Sequence, residues 1–407
     1  MSIAITHSKI YRISFFFLSF FLITSGISIT VSQGALLLSL IFWLYGYIRK
    51  YNDIRYNYTG LELYIGVFII VSVVLAFLSP SFINNLLYLR DFWLISAFLL
   101  ASSLINNRDD IIKIVRIMII IGIFHSIVGA VQYFTDIDFV NAYKYGIDHP
   151  KSRLGIRYVV GFLGHHLPYG GYMMISIPLI YLSFLKKDDY KGIFFVRMSS
   201  FMSFIAIIFS WARSVIVSLP FAVIPLFFIK RKIFFIISSV IVLIMLVVLS
   251  VRGPSNNIVG NMFNNSTNQR LLIWKNAFRV WLKHPVFGSG GGNYIDEFKD
   301  IVKEHPEDDP HMISNAHNDC LNQLVRKGII GLLAFLFLLY GIFRYMYKNL
   351  PLIKDRLLRF LYLGLFGFYS AFLVASMFQC YFTDEENLVM FWFYIGLLCA
   401  IVRIEKH

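Results

Sequence analysis

The side chain best suited to moving a proton near neutral pH is imidazole. Of the ten histidines, His317 stands in a polar run, Ser314-Asn315-Ala316-His317-Asn318-Asp319, just ahead of a long apolar stretch. Ser314 or Asn315 reads as a helix N-cap. That cap places His317 in the first helical turn at the mouth of a membrane span, as a candidate general base; His311 is a weaker rival. Arg213, in Ser210-Trp211-Ala212-Arg213-Ser214, interrupts two apolar runs. A charge at membrane depth is costly and marks a functional site by default, although such a side chain also snorkels to the interface. Arg270 is expected at the N-terminal end of a helix over about Arg270–His284, where a guanidinium beside unpaired backbone N–H groups suits a phosphate. Lys275 and Arg279 are second-tier anion contacts. Arg90, His165, His166 and Asn318 complete the candidate binding set. Arg90 and its neighbour Asp91 are expected to have separate partners, because adjacent residues on a helix diverge.

The elements that must position these residues follow from the surrounding pattern. Asn264-Asn265-Ser266-Thr267-Asn268 reads as a turn that caps the helix beginning near Arg270. Leu271, Trp274, Phe278 and Trp281 recur at helical spacing and Lys275, Arg279 and Lys283 on another face. Such a helix lies in a membrane interface or packs on the protein. Gly288-Ser289-Gly290-Gly291-Gly292 permits tight bends near a ligand or another helix, but lacks the Lys-Ser/Thr ending of a phosphate-binding loop. The acidic stretch 296–309 reads as a solvated loop, with no EF-hand pattern. Cys320, Cys380 and Cys399 show no metal spacing, and a Cys320–Cys380 disulfide is conceivable.

Composition sets the solvent. Of 407 residues, 58% are apolar and only 15% charged, against about 25% charged in soluble domains. Mean hydropathy is +0.68. The net charge of +14 is explained in part by Lys and Arg in retained loops, which leaves no case for nucleic acid; the large outer loop adds Arg252, Arg270, Lys275, Arg279, Lys283, Lys299, Lys303, Arg326 and Lys327, which retention does not explain. Twelve candidate spans lie near 11–29, 33–48, 61–79, 86–105, 112–134, 166–185, 198–213, 215–229, 233–251, 328–347, 358–379 and 387–402. The first follows Lys9 and Arg12 and reads as an uncleaved helix. Basic loops alternate with loops lacking Lys and Arg. One side holds Lys9, Arg12, Arg49, Lys50, Arg55, Arg108, Lys113, Lys186, Lys187, Lys191, Arg197, Lys230, Arg231, Lys232, Lys348, Lys354, Arg356, Arg359, Arg403 and Lys406. Both termini are therefore expected in the cytoplasm. Residues 1–251 carry nine spans, 252–325 one large outer loop, and 326–407 three more spans, all one integrated membrane domain. A second outer segment, 135–165, holds Lys144, Lys151, Arg153 and Arg157.

The order Trp211-Ala212-Arg213-Ser214, then Asn268-Gln269-Arg270-Leu271 with a Trp274 helix ending at His284-Pro285, then Gly288-x-Gly290, then Asn315-Ala316-His317-Asn318 with Gly328 eleven residues after the histidine, resembles the O-antigen ligase and polymerase superfamily. The likeness covers the span plan and, in detail, about residues 205–345. It implies an all-α polytopic fold of the GT-C glycosyltransferase type, with one large periplasmic loop containing helices, in the bacterial inner membrane. It implies transfer of a glycan from undecaprenyl pyrophosphate to an acceptor hydroxyl on the periplasmic face, without metal or other cofactor. The histidine matching His317 is then the base, and the arginines matching Arg213 and Arg270 hold the pyrophosphate.

The chemistry agrees with what the resemblance implies. Fixed guanidinium groups stabilise charge building on a pyrophosphate leaving group. Neighbouring arginines favour a neutral imidazole. No Asp-x-Asp motif stands in an outer loop. Direct displacement with inversion is expected. The ligase, with lipid A–core as acceptor, is the first reading. A polymerase with a lipid-linked glycan acceptor is second. An O-linked protein oligosaccharyltransferase is third, because no sizeable periplasmic domain follows the last span. A lipid-linked glycan transporter is the non-enzyme alternative; it predicts charges at the midplane and internal repeats, whereas the notable charges here gather toward one face.

Overall fold

The computed structural model describes residues 8–78, 82–135, 137, 158–227, 258–311 and 315–406. The expected ninth span, 233–251, lies outside them, as do Lys144, Lys151, Arg153, Arg157, Lys230, Arg231, Lys232, Arg252 and Ser314. Every regular element among the described residues is a helix. In chain order these are α1 (Lys9–Thr24), α2 (Ile29–Ile48), α3 (Glu62–Leu78), α4 (Phe82–Tyr88), a 3-10 turn (Arg90–Ile95), α5 (Ser96–Leu104) and α6 (Arg108–Thr135). Then come α7 (His166–Met173), α8 (Ile177–Leu182), α9 (Ile193–Ser210), α10 (Arg213–Ser218) and α11 (Ile224–Phe227). The chain ends with α12 (Ile258–Lys283), α13 (Tyr294–Glu304), α14 (Asp319–Asn349), α15 (Arg356–Ser376) and α16 (Glu385–Lys406).

Seven helical stretches among the described residues are long and apolar enough to cross a membrane, namely α2, Ile83–Leu104, α6, α9, Asp319–Leu352, α15 and α16. The chain is a multi-pass membrane protein. α3 and Arg213–Phe227 are shorter apolar helices. Burial separates the centre from the rim: 89% of the apolar window of α16 is buried, against 33% for α2. α16 packs most heavily against α5, and also touches α7 and α15. Phe372, Phe382 and Phe391 interlock where α15 and α16 meet, with ring centroids 4.9–5.3 Å apart, a geometry that adds to plain area burial.

The two ends of the bundle differ chemically. At one end Arg108 pairs with Asp355 and Arg356 with Asp189. There also Arg403 donates to the carbonyls of Ser102 and Ile105, and Ser8 bonds Asp53. This end collects the Lys- and Arg-bearing loops. The opposite end carries the end of α9, the start of α14, the α15–α16 turn and a helical cap made of α12 and α13.

That cap corrects two expectations. Asn264–Asn268 is not a turn: α12 begins at Ile258 and runs through it. Nor is the acidic stretch a loop. Tyr294, Phe298 and Ile301 recur at helical spacing and are buried along α13. They meet Ile273, Ala277, Val280 and Val325 in a small separate core. The buried face of α12 is therefore Ile273–Val280, while Leu271, Phe278 and Leu282 remain exposed, an apolar strip suited to a membrane interface.

The glycine-rich segment docks on a break in α14. Ser289 N–H donates to Val325 O at 2.9 Å and Gly290 N–H to Arg326 O at 3.0 Å, while Ile329 N–H donates to Pro285 O at 3.0 Å. Gly328 sits at φ 63°, ψ −168° inside the helix. A non-glycine residue is strained there. Arg326 and Lys327, expected as loop charges, are buried. Arg326 lies between the rings of Tyr88 and Tyr294 at 4.6 and 4.7 Å, and Lys327 Nζ donates to Ser72 at 2.9 Å. Cys320 and Cys380 are free thiols, so the conceivable disulfide is absent.

Candidate functional site

α14 starts at Asp319, and its N-cap is Asn318, whose side chain accepts from Leu321 N–H at 3.0 Å. His317 therefore lies outside the helix rather than in its first turn. It sits at a left-handed φ of 45°, an arrangement that costs on the order of 1–3 kcal/mol and persists where surroundings impose it. Asn315 Oδ1 accepts its N–H at 2.9 Å and so supplies part of that constraint. The ring is fixed from across the fold: Nδ1–H donates to Gln379 Oε1 at 2.7 Å. Gln379 is buried in the turn after α15. The bond leaves Nε2 as the acceptor face of a neutral imidazole.

The same turn ties the rest of the site together. Phe382 N–H donates to Asp319 Oδ2 at 3.1 Å. The Tyr381 hydroxyl meets Ser214 Oγ at 2.9 Å and donates to Leu167 O at 3.3 Å. Thus α7, α10, α14 and the α15–α16 turn converge. Burial draws His317 below the ordinary histidine range; the Gln379 hydrogen bond opposes this and the Arg270 charge adds to it. Asp384, at the end of the turn, is pushed up to about 7 by burial and then by Glu386.

Arg270 stands in the middle of α12, so helix-terminal N–H groups play no part beside it. Its guanidinium makes no ion pair among the described residues. It reaches Tyr381, His317 and His166 electrostatically. Arg213 opens α10 two residues after Trp211, whose left-handed φ of 54° turns the chain, and it also reaches His166. His165 caps α7 through Nδ1, which accepts Leu167 N–H at 3.2 Å, and its ring lies 4.4 Å from that of His166. Arg213, Arg270, His165, His166 and His317 thus form one cluster.

Other candidates face elsewhere. Lys275 and Arg279 both pair with Asp308 at 2.7 Å, clasping α12 to the segment after α13. Arg90 is exposed and bonds Asp91 at 3.2 Å and Glu385 at 2.9 Å. The expectation of separate partners fails because the residues lie on a tight 3-10 turn. Asn318 is a cap. No cluster of three or more metal-ligating side chains occurs among the described residues. Gln379, Tyr381, Ser214 and Asp319 escape a reading of spacing, because their partners are distant in the chain. An apolar groove of about 340 Å³ is lined by Trp274, Phe278, Asn318, Cys320, Leu321, Leu324 and Leu332.

The fold and cluster define a multi-pass membrane protein with a cationic, histidine-bearing site at one end of its helices. Residues 198–336, which include Arg213, Arg270 and His317, match the O-Antigen ligase family, a likeness of that segment that supports the O-antigen ligase/polymerase superfamily. The chain is also similar to an uncharacterized protein of Haemophilus influenzae, 26% identical over 192 residues, covering 42% of this chain and 48% of that protein. The chain thus spans about half the length of the curated relative it matches.

Proposed function

We propose that this protein is an O-antigen ligase-type glycosyltransferase. It moves a glycan from undecaprenyl pyrophosphate to a hydroxyl of lipid A–core on the periplasmic face of the bacterial inner membrane. The observation that carries the reading is the single cluster in which His317, oriented by Gln379, senses the charge of Arg270, while Arg213 and Arg270 both act on His166. Its position supports the periplasmic assignment, since it lies at the end opposite the basic loops. Both termini are then cytoplasmic, and the whole is a GT-C-type fold.

In this mechanism Nε2 of His317 takes the proton of the acceptor hydroxyl as its oxygen attacks the anomeric carbon. The sugar–phosphate bond breaks on the opposite side and inverts the centre. Arg213 and Arg270 stabilise the pyrophosphate that departs with the electron pair. A neutral base suits this role, and burial with the Arg270 charge favours that form. The apolar groove beside Asn318 suits the donor's polyprenyl chain. A polymerase joining lipid-linked repeat units uses the same chemistry and differs only in acceptor.

The test is the lipopolysaccharide profile of a deletion strain carrying wild type or His317→Ala. Bare lipid A–core with polymerised glycan held on the lipid carrier, rescued by wild type alone, supports the ligase. Core bearing single repeats but no long chains assigns the polymerase. An unchanged profile overturns both.

A further inference from the structure

The two histidines of the cluster that have hydrogen-bonded Nδ1 atoms are held in opposite tautomers. His165 Nδ1 accepts Leu167 N–H at 3.2 Å, so that nitrogen carries no proton and the neutral ring bears its hydrogen on Nε2. His317 Nδ1 faces a carbonyl oxygen, Gln379 Oε1, at 2.7 Å, so its hydrogen is on Nδ1 and its Nε2 has a lone pair. One ring therefore offers a donor and the other an acceptor.

Both settings are built into the same turn. Leu167, whose N–H holds His165, accepts at its carbonyl from the Tyr381 hydroxyl at 3.3 Å. Tyr381 stands two residues beyond Gln379, which holds His317. His165 also senses the charge of His317. The His165 ring is exposed, and its Nε2–H makes no hydrogen bond among the described residues. Its ring lies 4.4 Å from His166, which Arg213 and Arg270 both reach. The free N–H thus belongs to a ring next to the histidine on which both guanidinium charges act.

We infer that His165 is a further catalytic residue, a fixed hydrogen-bond donor to the leaving pyrophosphate, acting opposite His317, the acceptor. The inference rests on the proposed function. No proton leaves His165. The hydroxyl proton goes to His317 Nε2, the new bond joins acceptor oxygen to anomeric carbon, and the sugar–oxygen bond electrons leave on pyrophosphate, whose charge His165 Nε2–H shares with the arginines. A fixed donor at the site of developing charge is worth more in the transition state than before it.

Amide side chains separate the cap from the donor. His165→Asn keeps an acceptor at the Nδ1 position, where asparagine is among the best caps, and removes the Nε2–H. His165→Gln restores a donor near Nε2. Full-length purified protein is assayed for transfer from undecaprenyl-pyrophosphate-linked glycan to lipid A–core, and for binding of undecaprenyl pyrophosphate. His165→Asn is expected to melt like wild type, lose roughly 10- to 100-fold in kcat and bind undecaprenyl pyrophosphate about tenfold more weakly. His165→Gln is expected to recover most of both. The acid limb of the pH profile should keep its midpoint in His165→Asn, because His317 sets it. His165→Asn with wild-type turnover and binding overturns the inference, as does a Gln variant no better than Asn. Wild-type protein that binds the pyrophosphate lipid but transfers no glycan sinks the ligase reading alone. In that case the Asn-versus-Gln difference in binding still decides the role of His165.

Discussion

Gly328→Ala should disable the protein without touching any residue of the cluster. At φ 63°, ψ −168° the backbone occupies a region open essentially to glycine, and an alanine there costs about 1–3 kcal/mol in torsional strain. The added methyl would stand 2.1 Å from Val286 O, where ordinary contact begins near 3.4 Å. The two backbones must separate by more than an ångström. That movement endangers the bonds Ile329 N–H to Pro285 O and Ser289 N–H to Val325 O, at 3.0 and 2.9 Å, each worth roughly 0.5–1.5 kcal/mol. The sum is about 2–6 kcal/mol, a large part of a typical folding free energy of ~5–15 kcal/mol. Detergent-solubilised protein should show a lowered melting midpoint, and a strain carrying the variant should lose transfer. Wild-type melting together with wild-type transfer would refute the reasoning, since it would mean that the helix break is dispensable.

His317→Ala should lower turnover by about 10²–10⁴-fold. In wild type the rate should fall on acidification through a midpoint below the ordinary histidine value of 6.5, because burial disfavours the imidazolium; a midpoint above 6.5 would contradict this. Asp384 gives the opposite dependence, in stability. Its carboxyl titrates near 7 when folded against 3.8 normally, so the folded state keeps a proton that the unfolded chain loses between these values, and stability falls as pH rises through that window. Asp384→Asn should therefore raise the melting midpoint at pH 8 and leave it nearly unchanged at pH 4, as thermal unfolding at the two pH values would show. Asp308→Ala should release the Lys275 and Arg279 clasp. Hydrogen exchange should quicken across Tyr294–Glu304 and stay unchanged in Arg356–Ser376; equal exchange in both segments would dismiss the clasp.

The parts of this molecule that were legible in its sequence are those set by solvent. Long apolar runs announce helices in lipid, and Arg213 stands out because nothing apolar explains it. Local polarity misleads where tertiary packing wins. The Asn264–Asn268 cluster has turn chemistry, yet the helix continues through it, since propensity is a weak prior. The acidic stretch conceals Tyr294, Phe298 and Ile301, a helical spacing present in the sequence but masked by its charge. The position of His317 was readable, but its left-handed backbone was not. Its partner Gln379 lies 62 residues away, and no local pattern connects them. Gly328 was visible as a motif element, but only the docked 285–290 segment gives the reason for it.

The burial of α16 has a consequence for assembly. Its neighbours α5 and α7 are translated roughly 200–300 residues earlier, yet α16 ends up enclosed among them. Helices already in the bilayer must leave a vacancy, and α16 must enter it laterally. The turn carrying Gln379 and Tyr381 reaches its place only at that moment. Until then His317 lacks its orienting partner and the α7, α10 and α14 ends lack their common tie. Competence for chemistry is therefore expected to arrive in one late step, which would keep a half-threaded chain from acting on lipid substrates around it.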